Sequence, residues 1–339
     1  YSPLYDTILD VRTKNFVSYS FFVDMCSMRS GIATTPGSGF AVIGGTSYSS
    51  PCVAGAAALV RSKYPSLSGI QAAELLRVNG DLMDTFDITL PESRYKTGRK
   101  LNMYKALTNP TTPSVRITSK LLSGPVGNYL FSGDTVTMTN SFFNYLSPTN
   151  NLTIRLLCNN GFAKMVDSLS VLGNIDSLTA KNNLSDPFKF VINNNVGTNQ
   201  VIEFVLIMTD PTKNYYDYQG FKITVNPAYL DIDINNVKTT ITSNGRFGYL
   251  DAIGGITQGL GVNYLGNDLL YEGGFMIGGT PTKVSDCIRE SSSANNEFKS
   301  LNSVKYVSPS IKDLESFSTF DDSYATTPLG FEVQQRSYA

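Results

Sequence analysis

The segment 44–60, GGTSYSSPCVAGAAALV, has residue types and a spacing that suit nucleophilic chemistry. A glycine-rich turn precedes Thr46 and Ser47, and the small residues that follow predict a closely packed, central and buried helix. The start of such a helix points free N–H groups and the positive end of its dipole at Ser47. A serine at that place could attack a carbonyl while the helix end stabilises the oxyanion. Gly45, Thr46 and Pro51 would support the nucleophile loop, with Pro51 tolerated in the first turn.

A simpler explanation is that Thr46 or Ser47 caps an alanine-rich helix, because Ser and Thr are preferred at the N-cap. Spacing alone favours this capping role. The longer sequence context, considered below, favours the nucleophile.

Composition excludes several other classes of function. The chain has no histidine, so the usual general base and the commonest metal ligand are missing. Its 27 basic and 28 acidic residues give a net charge of -1 with no basic run, which argues against nucleic-acid binding. No apolar run approaches the roughly 20 residues that cross a bilayer. A serine–lysine pair using Lys63 or Lys14 has no support in the spacing.

The four cysteines form no C-x-x-C pair, so neither a zinc site nor a thioredoxin-like motif is expected, and their pairing stays unassigned. Cys52 sits inside the predicted helix, where a thiol usually behaves as a small hydrophobic group. No cofactor and no metal ligand is assigned to this chain.

Changes in composition and in hydrophobic pattern along the sequence predict three units. Residues 1–109 mix strand-like and helical pieces, and two prolines in 109–113 mark a boundary. Residues 110–227 alternate apolar and polar side chains, as in 152–158 and 221–225, which predicts an immunoglobulin-like β-sandwich. Residues 228–339 are rich in glycine and aromatic residues and predict a further β-rich module.

The string GTSYSSPCVAGAAALV resembles the nucleophile motif of subtilisin-like serine peptidases (subtilases), Gly-Thr-Ser-x-x-x-Pro-x-Val-Ala-Gly. Upstream, Val23-Asp24 and Gly37-Ser38-Gly39-Phe40 are in register with the family's run into the serine. Downstream, 64–84 and 98–107 resemble the next helix and the closing Gly-x-x-x-Asn-x-x-x-Ala-Leu. The resemblance covers residues 10–108.

This resemblance implies a partial α/β domain with a parallel sheet and a buried nucleophile helix, and a secreted or cell-surface endopeptidase acting on proteins or peptides. Ser47 is the residue carried over as catalytic, and residues 37–40 are carried over as the neighbourhood of the substrate pocket. The family has Ala-Pro-Gly where this chain has Ser27-Met28-Arg29, so the pocket beside it is expected to differ.

In subtilases the catalytic order along the chain is Asp, His, Ser. The resemblance therefore implies that the Asp, the His and the oxyanion Asn lie in an upstream part of the peptidase domain, on the same polypeptide or a separate chain. Alone, this chain is expected to be inactive, and calcium is left open for that upstream part. The alternative is a non-catalytic interaction or surface-attachment protein that keeps a subtilase scaffold.

The two later units resemble accessory domains of large secreted Bacteroidota subtilases, and this likeness assigns them no site residues. Other residues that could bind a ligand or carry a modification are better explained by structural roles. Asp231 and Asp233 could bind calcium but fit the solvent face of a strand. Asn151 and Asn183 begin N-x-[ST] glycosylation patterns but suit turns. The cluster 215–218 could be a carbohydrate- or protein-binding patch, and an exposed turn beside an edge strand is the favoured explanation.

Overall fold

A computed structural model of the 339-residue chain describes residues 6–10, 15–19, 21, 24–27, 30–83, 95–96, 98–124, 129–234, 236–249, 251–253, 256–290, 293–294, 296–307, 310 and 313–338.

The first unit combines short strands with helices. Its described strands are β1 (Asp6–Asp10), β2 (Asn15–Tyr19), β3 (Met25–Cys26), β4 (Ser30–Thr35), β5 (Gly39–Gly44) and β6 (Arg99–Lys100). Its described helices are α1 (Thr46–Lys63), α2 (Gly69–Val78) and α3 (Met103–Thr108). Strands β1–β2 and β4–β5 form antiparallel pairs, and β3 pairs with β6 in parallel.

Local sequence explains where α2 and α3 begin. Ser68 caps α2 in a capping box, in which its hydroxyl accepts from the N–H of Gln71 and the Gln71 side chain accepts from the N–H of Ser68. Asn102 caps α3 by accepting from the N–H of Lys105 at 3.0 Å. Both helices pack against α1, so the three form one small layer.

The second unit consists of two antiparallel sheets. Its strands are β7 (Val115–Ser123), β8 (Thr135–Asn144), β9 (Leu152–Cys158), β10 (Ala163–Asp167), β11 (Leu169–Gly173), β12 (Thr179–Asn182), β13 (Phe188–Ile192), β14 (Gln200–Asp210) and β15 (Tyr215–Val225), with a short 3-10 helix at Pro211–Lys213. One sheet has the order β10-β13-β8-β12 with β7 also paired to β8, and the other has the order β11-β9-β14-β15.

These two sheets face each other across a shared core. Leu152, Ile154 and Leu156 of β9 are buried, which confirms the period of two predicted for 152–158, and β8 shows the same alternation with Val136 and Met138 buried. The rings of Phe190 on β13 and Phe204 on β14 lie 4.7 Å apart, so they join one sheet to the other.

The third unit is built of short antiparallel strands. They are β16 (Tyr229–Ile234), β17 (Val237–Thr242), β18 (Arg246–Phe247), β19 (Asp251–Ile253), β20 (Ile256–Gln258), β21 (Val262–Tyr264), β22 (Asn267–Leu270), β23 (Gly273–Gly274), β24 (Met276–Thr280), β25 (Lys283–Asp286), β26 (Arg289–Glu290), β27 (Ser293–Ala294), β28 (Lys299–Tyr306), β29 (Glu315–Asp321) and β30 (Glu332–Tyr338). Two small cores lie here, one around Leu230 and Ile241 and one around Phe298 and Phe320.

The hydrophobic core does not stop at the predicted boundary near residue 110. Ala56 and Val60 of α1 and Leu75 and Leu76 of α2 belong to the same buried cluster as the apolar residues of the two facing sheets. The first two units are therefore packed as one body. The domain limits 1–109, 110–227 and 228–339 stay predictions.

A buried network of charges also crosses this junction. Arg77 of α2 donates to Glu74 at 2.8 Å, to Asp217 of β15 at 2.8 Å and to Ser114 at 3.0 Å. Its side chain is 6% exposed and that of Asp217 is 1% exposed. Arg116 of β7 donates to the other oxygen of Glu74 at 3.0 Å. Two basic and two acidic groups are thus paired inside the protein, as buried charges require.

Burial tends to raise the pKa of Asp217, but the nearby charges of Arg77 and Arg99 outweigh it and the net pKa is lowered. Burial likewise opposes ionisation of Glu74, and Arg77 and Arg116 lower its pKa overall. Both carboxyl groups are therefore ionised in the folded protein at neutral pH. The hydroxyl of Tyr215 completes the network by donating to Asp217 at 3.1 Å and accepting from the N–H of Val115 at 3.0 Å.

Two features of the expected α/β unit differ in the structure. Among the described residues the parallel pairing is a single two-residue ladder between β3 and β6, not an extended parallel sheet. Helix α1 is not buried all round, since Ala56 and Val60 are covered whereas Ala54, Gly55 and Ala58 are exposed. The prediction of a central buried helix is wrong for this chain, because its small-residue face has no described element packed over it.

We expect Asp217→Asn to lower the free energy of unfolding by about 3 to 5 kcal/mol, because it leaves the Arg77 charge buried with only part of its compensation. Urea unfolding at pH 7 measures this change. The matched control is Asp233→Asn, whose ion pair with Lys238 is half-exposed and should be worth less than about 1 kcal/mol. Equal losses for the two variants would contradict the role of the buried network.

The same variant tests the pH dependence. Because the folded pKa of Asp217 is lowered, its stabilisation is complete above the value of about 3.9 for an unfolded Asp and is lost as the pH falls through the lower folded value. The wild-type chain should therefore lose stability below about pH 4. Asp217→Asn should lose less over that range, as measured by unfolding at a series of pH values.

Candidate catalytic serine

Gly45 sets the start of α1. It occupies the N-cap with φ 113° and ψ 174°, a conformation that only glycine adopts readily. No side chain caps the helix, and instead the Gly45 carbonyl accepts from the N–H groups of Tyr48 at 3.1 Å and Ser49 at 3.3 Å. The helix then begins at Thr46, so Ser47 is its second residue.

Ser47 therefore has no capping role, because the N-cap position belongs to Gly45. Its side chain is exposed, and within the part of the chain that the structure describes it makes no hydrogen bond. As the second residue of a helix, it has an N–H that no intrahelical carbonyl can accept. An exposed hydroxyl, an open N–H and the positive helix end thus meet at one residue.

The hairpin β4–β5 leads the chain into this helix. Tyr48, in the first turn of α1, lies over Gly31 of β4 so closely that a Cβ at Gly31 would fall 1.8 Å from the Tyr48 hydroxyl. Glycine is required there for the ring to approach the strand. Sequence reasoning missed this contact, and nothing in the spacing of Gly31 and Tyr48 signals it.

The predicted pocket residues Gly37, Ser38, Gly39 and Phe40 lie at the far tip of the same hairpin. Gly37 and Ser38 have φ values of 85° and 65°, which form the turn. Gly39 and Phe40 begin β5, and at about 3.3 Å per residue they lie roughly 16 Å and 13 Å from Gly44 along the strand. The structure does not bring these residues next to Ser47, and Phe40 is exposed.

Pro51 lies deeper in the helix than expected. It is the sixth residue of α1, in the second turn rather than the first. In a regular helix the Ser47 carbonyl would accept a hydrogen bond from the N–H of residue 51. Because Pro51 has no N–H, that bond is missing. The Gly45 carbonyl, which also accepts from the Ser49 hydroxyl at 3.5 Å, therefore holds much of the first turn of α1.

The alternative general bases and nucleophiles do not join Ser47. Lys63 lies at the other end of α1, roughly 24 Å away along the axis, and donates to the Leu107 carbonyl at 2.7 Å. Lys14 lies outside the described residues. Cys52 is half-buried in α1, which agrees with a packing role. Asp24, in the matched upstream run, pairs with Arg116, and Val23 lies outside the described residues.

The remaining candidates are engaged in structure. Asp231 accepts from Thr240 at 2.5 Å and Asp233 pairs with Lys238, each across the β16–β17 register. Asn183 is fully buried and accepts from the N–H of Asn140 at 2.6 Å, so it is a turn residue and offers no accessible acceptor for a glycan.

The cluster 215–218 is not an exposed turn. It begins strand β15, and its Tyr215 and Asp217 are buried in the charged network described above. The sequence signal for that network was the pair Glu74 and Arg77, three residues apart on one helix face. Across the described residues, no group of three Cys, Asp or Glu side chains is placed to hold a metal, and no helix is long and apolar enough to cross a membrane.

Comparison with known proteins finds one family-level similarity, and it falls in the first unit. Residues 23–95, which contain Ser47, match the sequence model of the Subtilase family. This match supports a serine peptidase at the level of the family and covers less than half of the chain. No curated protein sequence matches the chain.

Two solved structures share limited similarity with the chain. Native alpha-2-macroglobulin from Escherichia coli, from domain MG7 to the C-terminus, is 16% identical with a TM-score of 0.27, over 38% of this chain and 20% of that one. A family 123 glycoside hydrolase from Clostridium perfringens is 10% identical with a TM-score of 0.19, over 32% of this chain and 27% of that one. The chain spans about a fifth to a quarter of their length, and similarities this weak carry no argument about fold or function.

Gly45→Ala should lower the free energy of unfolding by about 1 to 3 kcal/mol, because the backbone conformation at Gly45 is costly for any side chain. No atom lies within 4 Å of the added methyl group, so crowding is not the cause. Gly55→Ala, in the open middle of α1, should instead raise it by about 1 kcal/mol through helix propensity. Urea unfolding of both variants measures the difference. A neutral Gly45→Ala would show that this turn is not constrained.

Proposed function

We propose that this chain is part of a secreted or cell-surface subtilisin-like serine endopeptidase that cleaves proteins or peptides through an acyl-enzyme on Ser47. The observation that carries the proposal is the place of Ser47 at the second position of α1, exposed and without a capping role, inside the segment that matches the Subtilase family.

In this mechanism the Ser47 Oγ attacks the scissile carbonyl carbon as its proton passes to a general base. The oxyanion that forms accepts a hydrogen bond from the Ser47 N–H and is stabilised by the positive end of α1. The C–N bond then breaks as the base returns the proton to the leaving amine. Water hydrolyses the acyl-enzyme and regenerates the serine.

This chain has no histidine and so lacks the general base that subtilases use. We propose that an upstream part of the peptidase domain supplies the Asp, the His and the oxyanion Asn. Removing triad members from such an enzyme lowers kcat by roughly 10⁶-fold. The isolated chain should therefore be inactive, and calcium, if the enzyme uses it, would belong to that upstream part.

An apolar face beside Ser47 offers a surface for this upstream part. The face consists of Val42 on β5, which is 77% exposed, Leu59 on α1 and the small residues Ala54, Gly55 and Ala58. Apolar residues left exposed in this way fit an interaction site. A helix lined by Ala and Gly accepts a close neighbour without displacing side chains, which fits the expected packing of the rest of the peptidase domain.

For the units 110–227 and 228–339 we propose a role in substrate presentation, spacing or surface attachment. The immunoglobulin-like assignment of the two facing sheets stays a prediction. Their resemblance to accessory domains of Bacteroidota subtilases supplies no site residue. The core and charges that the second unit shares with α2 favour a fixed attachment to the peptidase part.

The second candidate function is a non-catalytic interaction or surface-attachment protein with a subtilase scaffold. One observation favours this second function. The predicted pocket residues, 37–40, lie a strand length from Ser47 and build no pocket around that serine. The upstream sequence distinguishes the two functions. Asp, His and Asn in subtilase contexts support the peptidase, and replacement of any of them supports the scaffold.

The decisive experiment is labelling with a fluorophosphonate probe, which reacts with an activated serine. The full-length protein that includes the upstream part should be labelled, and Ser47→Ala should abolish the label. The matched control is Ser50→Ala, another exposed serine in the same helix, which should leave labelling unchanged. The 339-residue chain alone should show no detectable label, since its rate is expected to be about 10⁶-fold lower.

An absence of label on the folded full-length protein, or equal labelling of Ser47→Ala, would contradict the peptidase and leave the scaffold function. Circular dichroism of each variant shows whether a lost label reflects chemistry or unfolding.

A further inference from the structure

A cleft lies where the second and third units meet. It has a volume of about 580 Å³ and is lined by residues of both units, including Asn199 ahead of β14 and Tyr229 at the start of β16. The junction around it is tied together by hydrogen bonds, since the side-chain oxygen of Asn199 accepts from the N–H of Ala228 at 2.7 Å and Ser303 donates to the Asn226 carbonyl at 3.1 Å. The cleft is therefore a formed feature of the fold.

Four aromatic residues are among those that line this cleft, Tyr229, Tyr249, Phe298 and Tyr324. The ring centres of Tyr229 and Tyr249 lie 6.3 Å apart, and the angle between the two ring planes is 43°. Phe298 is buried and packs on Phe320 at 5.2 Å, so its position is fixed from behind. Tyr324 stands at the rim and is 60% exposed. Three tyrosines, Tyr229, Tyr249 and Tyr324, therefore line the same cleft, with Phe298 buried beneath its surface.

The polar lining consists mainly of amides and hydroxyls. Asn244 donates to Asn296 at 2.8 Å, which orients two amides in the wall. Asn199 is exposed and lines the cleft, and the hydrogen bond from Ala228 engages its side-chain oxygen, not its side-chain nitrogen. An amide offers both donors and an acceptor, as a ligand with many hydroxyl groups requires.

The charge of the cleft has one sign. Arg246 and Lys299 line it, and no Asp or Glu does among the residues that the structure describes. The Arg246 guanidinium lies 5.7 Å from the Tyr249 ring centre and its Nε donates to the Cys287 carbonyl at 3.1 Å, so it is fixed in place. Lys299 is exposed at the opening and can meet an anionic group of a ligand.

We infer that this cleft is a carbohydrate-binding site for an oligosaccharide that carries a carboxylate. The C–H face of a sugar ring complements the negative face of an aromatic ring, the hydroxyl groups pair with the amides, and the carboxylate is attracted by the exposed Lys299. A peptide with apolar side chains fits less well, because Ala228 is the one aliphatic residue in the described lining. The inference is independent of Ser47.

The test is saturation-transfer NMR and calorimetric titration of the 339-residue chain with 3′-sialyllactose and with a hyaluronan tetrasaccharide, both acidic. Lactose serves as the neutral comparison and a tetraglutamate peptide as the acidic non-sugar comparison. At least one acidic sugar should bind more tightly than lactose, and the peptide should not bind. Binding of the peptide alone, binding of lactose with equal affinity, or no binding of either acidic sugar at millimolar concentration would overturn the inference.

Variants locate the binding in the cleft. Tyr324→Ala should weaken acidic-sugar binding by about three- to tenfold, and its exposed position keeps the fold intact. Lys299→Gln should weaken binding of the acidic sugar and leave lactose unchanged. Tyr264→Ala, which removes a tyrosine of similar exposure from β21 in the same unit, is the matched control. Equal effects of Tyr264→Ala and Tyr324→Ala would place the binding elsewhere and overturn the assignment.

Discussion

The buried charge of Arg77 is the constraint on which the arrangement of the first two units depends. A guanidinium that is 6% exposed must be compensated, and its partners come from its own helix, from Ser114 ahead of β7 and from Asp217 of β15. These partners can be satisfied together only when α2 lies against the edge strand β15 in one orientation. Since α1 packs on α2, the orientation of the serine-bearing helix follows from the same pairing.

The serine end of α1 is constrained in a different way. No buried charge holds it, and its position depends on the backbone of Gly45, the two hydrogen bonds to the Gly45 carbonyl and the approach of Tyr48 to Gly31. Pro51 removes a further bond from the same turn. The helix is thus fixed by packing and charge near α2 and by a few backbone constraints at Ser47, which leaves the hydroxyl and the N–H open to a ligand.

The sequence predicted those parts of the structure that depend on local pattern. The start of a helix beside Ser47 follows from Gly45 and the small residues after it, and the strands around Val136 and Ile154 follow from strict alternation. The sequence could not show that Asp217 is buried against Arg77, because that contact joins residues 140 positions apart. For the same reason the tyrosine-rich cluster 215–218 suggested an exposed turn. Its pairing with β14 instead makes it the start of strand β15, with Tyr215 and Asp217 buried.

The long hairpin of β14 and β15 relates the two ends of the molecule. Asp217 pairs in register with Met208, and Val225 pairs with Gln200, so the contact with α2 and the contact with the third unit lie toward opposite ends of one continuous ladder. At about 3.4 Å per residue these points are roughly 27 Å apart. Because the ladder is covered by a core that also includes α1 and α2, it cannot bend freely between them. The second unit therefore joins the contact with α2 to the contact with the third unit through one ladder that its core keeps from bending freely.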